Sequence, residues 1–222
     1  FLKLALLSSE ELMKDSSGAK NRYFDIRQVS PEAFIGQNLN EHDAVVFVDK
    51  QQFTQSESVK LKGHIENGGG VIIYPGTLSR MDNYNSILMK ELGLPYINPP
   101  YAEIYVSYKF DKIDFEHPIF EGIFRMRADG KKLSIESPEV KSGIDLSTGE
   151  NSIPLITLNN GKNFLVEYSI GKGRLLMFSV SPDMNNSDYP AKNLFSPITV
   201  RSILYAANIN NIKPAVTGRD YF

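Results

Sequence analysis

The stretch Gly161-Lys-Asn-Phe-Leu-Val-Glu-Tyr-Ser-Ile-Gly-Lys-Gly-Arg-Leu-Leu-Met-Phe-Ser-Val-Ser-Pro-Asp183 decides the fold class of this chain. It predicts two strands, Phe164–Tyr168 and Arg174–Val180, joined by a tight turn at Gly171-Lys172-Gly173, because glycine supplies the positive φ angles that a hairpin loop needs. The second strand is a nearly unbroken apolar run, which predicts burial on both faces. It stops at Ser181-Pro182-Asp183, and α/β proteins place their binding sites at such strand ends.

Upstream of this hairpin, two apolar strands alternate with two helices. The strands are predicted at Asp43–Asp49 and Val71–Tyr74. The first helix begins after the N-cap Thr54, and Glu57 completes a capping box. The second helix is predicted over Asp82–Leu92. Strand, helix, strand, helix at this spacing predicts βαβ units and a parallel sheet.

The other predicted elements carry weaker patterns. They are a helix over Phe1–Met13 (a strand over its first seven residues is the alternative), a strand at Tyr23–Val29, a helical turn at Ser30-Pro31, a half-exposed strand at Tyr101–Phe110, a weak strand at Leu133–Ile144, a strand at Ile153–Thr157 that turns through Asn159-Asn160-Gly161, and a helix over Ser196–Asn208. We expect one α/β domain over residues 1–210 with an antiparallel insertion at about residues 101–150. Residues 211–222 are expected to form a tail or the start of a linker.

Composition excludes several classes of function. The 222 residues are 41% hydrophobic and 23% charged, as in ordinary globular chains. The net charge is −2 with scattered Lys and Arg, so we expect no nucleic-acid or anionic-membrane surface. The absence of cysteine excludes disulfides, cysteine metal ligands and a cysteine nucleophile. No run approaches the roughly 18 apolar residues of a membrane helix.

Four phrases, in this order, resemble the class I glutamine amidotransferase-like domain. They are Asp43-Ala-Val-Val-Phe-Val-Asp49, Gly68-Gly-Gly-Val-Ile-Ile-Tyr-Pro-Gly76, His117-Pro-Ile-Phe120 and Gly173-Arg-Leu-Leu-Met-Phe-Ser-Val-Ser-Pro-Asp183. The resemblance implies a three-layer α/β fold with a mostly parallel, flavodoxin-like or amidotransferase-like sheet and an antiparallel β extension. It also implies a buried strand before the first helix. Residues upstream of Phe1, or a different register of the first element, would account for its absence here.

Further phrases resemble the corresponding domain of bacterial membrane-anchored proteins of the aerotolerance-operon (Bat) group. They are Tyr84-Asn85, Gly161-Lys-Asn-Phe-Leu-Val-Glu167, Ser187-Asp188-Tyr-Pro190 and Leu194-Phe-Ser-Pro-Ile198. In that group a pair of membrane helices and a von Willebrand A-like region typically precede the domain. The resemblance covers nearly the whole chain, and it depends on the order and spacing of phrases that are individually short.

The catalytic residues of amidotransferases are replaced at the matching positions. Enzymes of this fold use a Cys nucleophile on a turn after a central strand, activated by His and Glu in a late His-Pro-Glu stretch. Here the nucleophile position holds Thr77, and the late stretch holds Ser181 and Asp183. A hydroxyl without an adjacent base is a weak nucleophile. The resemblance therefore implies a degenerate site and no enzymatic activity.

Other polar residues at predicted strand ends define a candidate pocket. Asp49, Gly76 and Asp188 are its candidate members, and the run from Asp183 to Asp188 could offer oxygen ligands to a cation. Loop acids and amides are more often turn formers, so we expect no metal and no cofactor.

Three histidines offer no evident catalytic cluster. His117 is interpreted as capping a turn and packing against Phe120, and a catalytic role is the less favoured alternative. His64, on the helix after Thr54, is expected to have a surface or half-buried structural role. His42 lies in a polar run and is expected to be solvated.

The sequence is compatible with three functions. The leading one is a non-catalytic interaction or ligand-binding domain of a larger membrane-anchored envelope protein, soluble and periplasmic by resemblance alone, with protein partners in an envelope complex. The second is a sugar-modifying or metal-assisted hydrolase on the same fold, similar to trehalose-utilisation proteins. The third is a structural module that spaces membrane-attached domains.

Overall fold

The fold was determined as a computed structural model, and it describes residues 1–12, 24–124 and 136–209. The helices are α1 (Leu2–Leu12), α2 (Gln55–Glu66), α3 (Met81–Asn83), α4 (Lys90–Leu92) and α5 (Phe195–Ala206). The strands are β1 (Ala44–Val48), β2 (Gly70–Tyr74), β3 (Asn98–Ala102), β4 (Phe110–Ile113), β5 (Ser142–Asp145), β6 (Ser152–Leu158), β7 (Asn163–Ile170) and β8 (Gly173–Phe178).

Six strands form one sheet in the order β1-β2-β8-β7-β6-β4. β1, β2 and β8 are mutually parallel, and β8, β7, β6 and β4 pair antiparallel in turn. β3 and β5 form a separate antiparallel pair. The predicted parallel sheet with an antiparallel extension is confirmed.

Helices cover both faces of this sheet, which confirms the three-layer α/β class. Alternate residues of the central strands point to opposite faces because side chains alternate along a strand. Ile72, Tyr74, Leu176 and Phe178 belong to the core under α5 and α1, and Val71, Ile73, Leu175 and Met177 belong to the core under α2. Both sides of the central strands are therefore buried.

The hairpin of β7 and β8 forms as the glycine pattern predicts. Ile170 pairs with Gly173, so the loop is Gly171-Lys172, and Gly171 has a φ of 58°. A Cβ at Gly171 would lie 2.7 Å from the Glu66 Cα, so the turn also needs glycine for close packing against the end of α2.

β1 differs from its prediction as a buried strand. Among the described residues it pairs with β2 and with no other strand. Ala44, Val45 and Val46 are half-buried, and Val48 is 45% exposed. An apolar run alone does not distinguish a central strand from an edge strand, because that depends on which strands become neighbours.

The helices on the α2 face follow their local signals. Thr54 and Glu57 form the predicted reciprocal capping box at the start of α2. The predicted helix over residues 82–92 is helical throughout, but Tyr84–Met89 between α3 and α4 is a π-helix. Gly93 ends it with a φ of 67°, a left-handed cap that glycine adopts without strain.

The insertion contains shorter strands than predicted. The predicted strand Tyr101–Phe110 is wrong, because the chain leaves β3 at Ala102 and Tyr105 adopts a φ of 62°, which no strand accommodates. Of the predicted strand Leu133–Ile144, residues 133–135 lie outside the described part. Its described part is a bridge at Val140 followed by β5.

The amino-terminal third holds one further error. The predicted strand Tyr23–Val29 does not form over residues 24–29, and Tyr23 lies outside the described part. Residues 25–29 are exposed, and no strand in the described part of the chain pairs with them, so their alternating pattern forms no ladder there. The first element is a helix, α1, rather than the alternative strand.

The carboxyl-terminal helix begins one residue earlier and ends two residues earlier than predicted. α5 ends at Ala206, and Asn208 has a φ of 57° just beyond it. The tail at residues 211–222 lies outside the described part, so that expectation stays a prediction. Among the described helices, none is long and apolar enough to cross a membrane.

Candidate functional site

The carboxyl ends of β1 and β2 lie side by side, at the end of the sheet where the nucleophile of this fold would lie. Asp49 follows β1 with a φ of 47°, and its Oδ1 accepts a hydrogen bond from the Leu78 amide at 3.0 Å. Gly76 follows β2, and a Cβ there would lie 2.3 Å from the Asp49 Cγ. The structure thus brings two of the candidate pocket residues into contact, with Asp49 closing the turn after β2.

The space behind Asp49 is filled by a hydrogen-bond network to the Lys50 carbonyl. The Ser79 hydroxyl donates to that oxygen at 3.0 Å, and the Tyr84 hydroxyl donates to it at 2.6 Å. Burial raises the pKa of Tyr84 to about 12. These groups hold the turn after β1 in place, and they point at one another rather than at an open cleft.

The positions of nucleophile and base have opposite surroundings. Thr77 is exposed on the turn after β2, whereas Ser181 is 3% exposed beyond the end of β8. Between these two turns, the rings of Tyr74 and Phe178 stack with their centroids 4.3 Å apart. The interior between the carboxyl ends of β2 and β8 is therefore filled by aromatic rings.

The insertion lies over the carboxyl end of β8. The Ile144 amide donates to the Ser179 carbonyl at 2.9 Å, and the Lys141 amide donates to the Asn186 carbonyl at 2.8 Å. The Tyr101 hydroxyl lies 3.4 Å from the Ser179 Oγ, which is 2% exposed. The strand end that the sequence indicates as a site is covered by backbone from β5.

Asp183 and Asp188 stabilise local turns. The Asp183 Oδ1 accepts a hydrogen bond from the Asn185 amide at 2.8 Å. Asp188 accepts from the Glu139 amide at 2.7 Å and forms an ion pair with Lys192 at 3.0 Å. Asp188 therefore joins the loop after β8 to the insertion. Within the described ranges, no group of three or more acidic or histidine side chains could hold a metal ion.

A buried polar cluster that sequence reasoning missed lies under α5. Glu167 of β7 is 5% exposed, and its Oε2 lies 2.8 Å from the Nε2 of His117, which is 8% exposed. The Tyr205 hydroxyl donates to both Glu167 oxygens at 3.2 Å. Burial, with the charge of Glu167, raises the pKa of Tyr205 to about 12. The sequence signal was an acid inside an otherwise apolar strand.

His117 has no nitrogen left for a substrate. Its Nδ1 accepts a hydrogen bond from the Ile119 amide at 3.3 Å, so Nε2 carries the proton that is donated to Glu167. The ring also packs edge-on against Phe120, with centroids 6.2 Å apart. The interpretation of His117 as a turn cap that packs on Phe120 is confirmed.

The other two histidines lie at the opposite end of the strands from Thr77. His42 and His64 line a cavity of about 260 Å³ at the amino ends of β1 and β2. His64 is 7% exposed, and its ring lies against Gly69, where a Cβ would be 2.2 Å from Nε2. Burial lowers the pKa of His64, although the Gly70 backbone and Asp43 oppose that shift. Neither imidazole is near Thr77 in the fold.

A buried ion pair, also missed from the sequence, anchors the end of β1. The Lys50 Nζ lies 3.0 Å from the Glu57 Oε1, with both side chains 8% exposed. The ammonium also lies 5.2 to 6.0 Å from the ring centroids of Phe34, Phe47 and Phe53. This cation–π environment fixes the segment before β1 against α2.

Comparison with solved structures gives matches to several α/β proteins. Cytoplasmic protein STM3548 from Salmonella typhimurium matches with a TM-score of 0.58 and 15% identity, over 92% of this chain and 85% of that one. Cytoplasmic protein STM1381 from Salmonella typhimurium LT2 matches with a TM-score of 0.57 and 17% identity, over 74% and 72%. A ThuA-like protein from Bacteroides uniformis matches with a TM-score of 0.53 and 10% identity, over 78% and 72%.

The fold is amidotransferase-like, of the ThuA type. At these identities the likeness establishes the ThuA-type fold alone. No protein-family model matches the sequence, and no curated protein matches it either. Evidence for the function of this domain therefore comes from the geometry of its own residues.

Proposed function

We propose that the chain is a non-catalytic amidotransferase-like domain that provides an interaction or ligand-binding surface in a larger membrane-anchored bacterial envelope protein. One observation carries the non-catalytic part: Thr77, at the nucleophile position, has no imidazole within its reach. His42 and His64 lie at the opposite end of the strands. Both ring nitrogens of His117 are hydrogen-bonded, to the Glu167 carboxylate and the Ile119 amide.

The chemistry of this fold requires a base beside the nucleophile. A threonine hydroxyl is deprotonated only with help from such a group or from a metal. Asp49, the carboxylate that contacts Gly76, already accepts a hydrogen bond from the Leu78 amide. Its oxygen holds the turn together, which supports a structural rather than a catalytic role.

The insertion covers the carboxyl end of β8, and this favours a binding function over an enzymatic one. A hydrolase needs an open path for substrate and product at the catalytic strand ends. Here Ser179 and Ser181 are 2% and 3% exposed beneath the insertion. An interaction surface needs no such path, because a partner binds to the outside of the domain.

The membrane-anchored parent and its periplasmic side rest on the resemblance to the Bat group. The two Salmonella proteins of similar fold are named as cytoplasmic, which lends no support to that placement. Reporter fusions to the full-length gene product would test it. We expect membrane spans outside this domain and a periplasmic reporter signal, and a cytoplasmic signal would contradict the placement.

Hydrolase assays test the absence of catalysis. The wild-type chain, Thr77→Ala and the control Thr157→Ala are assayed with glutamine, p-nitrophenyl acetate and p-nitrophenyl glycosides. We expect all three proteins to match the buffer rate. Turnover by the wild type that disappears in Thr77→Ala and persists in Thr157→Ala would overturn the proposal.

The same assays address a sugar-modifying or metal-assisted hydrolase, since the ThuA-like fold is compatible with one. Each is repeated with Mg²⁺ or Zn²⁺ and then with a chelator. A metal-dependent rate on a glycoside would establish that alternative. The engagement of Asp183 and Asp188 in turns and an ion pair supports the opposite expectation.

A further inference from the structure

The cavity of about 260 Å³ at the amino ends of β1 and β2 lies away from the degenerate catalytic positions. Four segments of the chain line it: the turn before β1, the carboxyl-terminal end of α2, the loop that leads into β2, and the residue after α5. The side chains that matter here belong to Asn40, His42, Asp43, His64 and Asn67. All five are polar, so the cavity suits a polar ligand.

Several of these side chains lack a hydrogen-bond partner among the described residues. His64 is 7% exposed, and its Nε2 is buried without such a partner. The side chains of Asn40 and His42 also form no hydrogen bond within the described ranges. Buried polar atoms are normally paired, so an unpaired ring nitrogen at the base of a polar cavity indicates a site that a ligand or water completes.

The cavity carries a negative charge at its mouth. Asp43 is exposed, and its carboxylate forms no ion pair with a described residue. Its backbone carbonyl accepts a hydrogen bond from the Gly70 amide at 3.0 Å, which fixes the residue beside β2. No lysine or arginine is among the residues that line the cavity. The Asp43 charge is therefore available to a ligand.

Two helices end at the cavity, and both add negative potential. Asn67 is the C-cap of α2 and Ala207 is the C-cap of α5. The carboxyl end of a helix carries the equivalent of about half a negative charge. The last carbonyls are already hydrogen-bonded, since both the Asn67 amide and its side chain donate to the Gly63 oxygen. The helix ends thus act through their dipoles rather than as direct ligands.

The remaining polar groups do not oppose this potential at neutral pH. Burial lowers the pKa of His64 from 6.5, so its imidazole is neutral near pH 7. Asn67 donates its amide nitrogen to the Gly63 carbonyl at 2.8 Å, so its side-chain oxygen remains an acceptor. Hydrogen-bond acceptors and negative charge in one cavity favour a cation that carries N–H donors.

We propose that this cavity binds a small organic cation with N–H donors, of the guanidinium or primary ammonium class. Asp43 supplies the opposing charge, Asn40 and Asn67 supply acceptor oxygens, and His64 forms the base. A volume of about 260 Å³ admits a small molecule rather than a folded element. This inference rests on the proposed ligand-binding role and names the class of ligand.

A pair of probes of the same shape tests the charge requirement. Methylguanidinium and the neutral N-methylurea are titrated into the 222-residue chain near pH 7.5 and followed by NMR. We expect methylguanidinium to shift the amide signals of Asp43 and Asn67 and the ring signals of His64. N-methylurea should bind at least about threefold more weakly. Equal affinity of the two probes, or no shift with methylguanidinium, would overturn the proposal.

Asp43→Asn removes the charge and keeps the carbonyl that holds Gly70. We expect methylguanidinium to bind this variant about three- to tenfold more weakly than the wild type. Asp111→Asn, an exposed acid on β4, is the matched control and should leave binding unchanged. Unchanged binding in Asp43→Asn, or an equal loss in Asp111→Asn, would contradict the role of Asp43.

Three further titrations separate other occupants of the cavity. Inorganic phosphate should not compete with methylguanidinium, and tighter binding of phosphate would overturn the assigned charge. A blocked tripeptide with a central arginine should bind no more tightly than methylguanidinium, and tighter binding would assign the cavity to a partner's side chain instead. The full-length gene product should bind methylguanidinium as well, and loss of binding there would mean that another segment fills the cavity. None of these failures alters the hydrolase assays, so they are distinguishable from a failure of the proposed function.

Discussion

The imidazole of His117 and the carboxylate of Glu167 form a 2.8 Å hydrogen bond in the interior, between residues 50 positions apart in the chain. It joins the turn after β4 to the middle of β7. Tyr205 of α5 belongs to the same cluster, since its ring packs edge-on against that of His117 with the centroids 4.8 Å apart. One polar contact thus ties the insertion, the sheet and the last helix together.

Replacing His117 with alanine should destabilise the domain. The Glu167 carboxylate would remain buried with Tyr205 as its remaining partner, so we expect a loss of about 3 kcal/mol in the free energy of unfolding. Urea unfolding measures this, with His42→Ala as a control that should change stability by less than about 0.5 kcal/mol. Similar losses in the two variants would show that the pair contributes little.

Lys50→Ala should cost more than the replacement of the whole ion pair. The single change leaves the buried Glu57 charge without its cation, and such a change costs about 3–5 kcal/mol. The double variant Lys50→Met with Glu57→Gln keeps the volume and removes both charges, so it should retain most of the stability. A double variant less stable than Lys50→Ala in thermal unfolding would contradict this account. Arg80→Ala, which breaks an exposed pair with Asp82, should have no measurable effect.

Two glycine-to-alanine changes should have opposite signs. Gly63 lies inside α2, and a Cβ added there would have no atom within 4 Å outside its own helix turn, so Gly63→Ala should stabilise by about 0.5–1 kcal/mol. At Gly69 a Cβ would lie 2.2 Å from the His64 ring, so Gly69→Ala should destabilise by about 1–3 kcal/mol. Denaturant midpoints compare the two, and a stabilised Gly69→Ala would refute the packing of that ring.

His64 should make stability depend on pH below neutrality. Its folded pKa is lowered from 6.5 by burial, and by His42, so the unfolded state takes up the proton first. The stabilisation is fully present above about pH 6.5 and is lost as the pH falls toward and through the lowered folded pKa. Wild type should therefore lose more stability between pH 7 and pH 5 than His64→Gln. Parallel pH profiles for the two proteins would rule out this role.

Local signals were sufficient for several elements. The capping box at Thr54, the loop at Gly171 and the double-sided burial of β8 depend on residues close in sequence, and each formed as predicted. The strand predicted at Tyr23–Val29 did not form over residues 24–29, because a strand needs a neighbour and no described strand pairs with these residues. The alternation in Tyr101–Phe110 failed for a related reason, since the chain turns sharply at Tyr105.

For the candidate site, sequence reasoning identified residues but not their relations. It placed Thr77 and Ser181 at strand ends. In the structure Thr77 is exposed to solvent, whereas Ser181 is buried. It assigned His117 to a turn cap and did not find Glu167. A contact between residues 50 positions apart leaves no local pattern, because its geometry depends on how β7 and the insertion come to lie together.

The sequence by itself determined the layered α/β class, the hairpin of β7 and β8, and the absence of Cys and His at the matched catalytic positions. These follow from residue type and short-range periodicity, which act within one element. Only the tertiary structure decided that β5 covers the end of β8, that Glu167 meets His117, and that β8 lies between β2 and β7. The order of strands in a sheet is set by contacts distant in sequence, so strand patterns alone do not specify it.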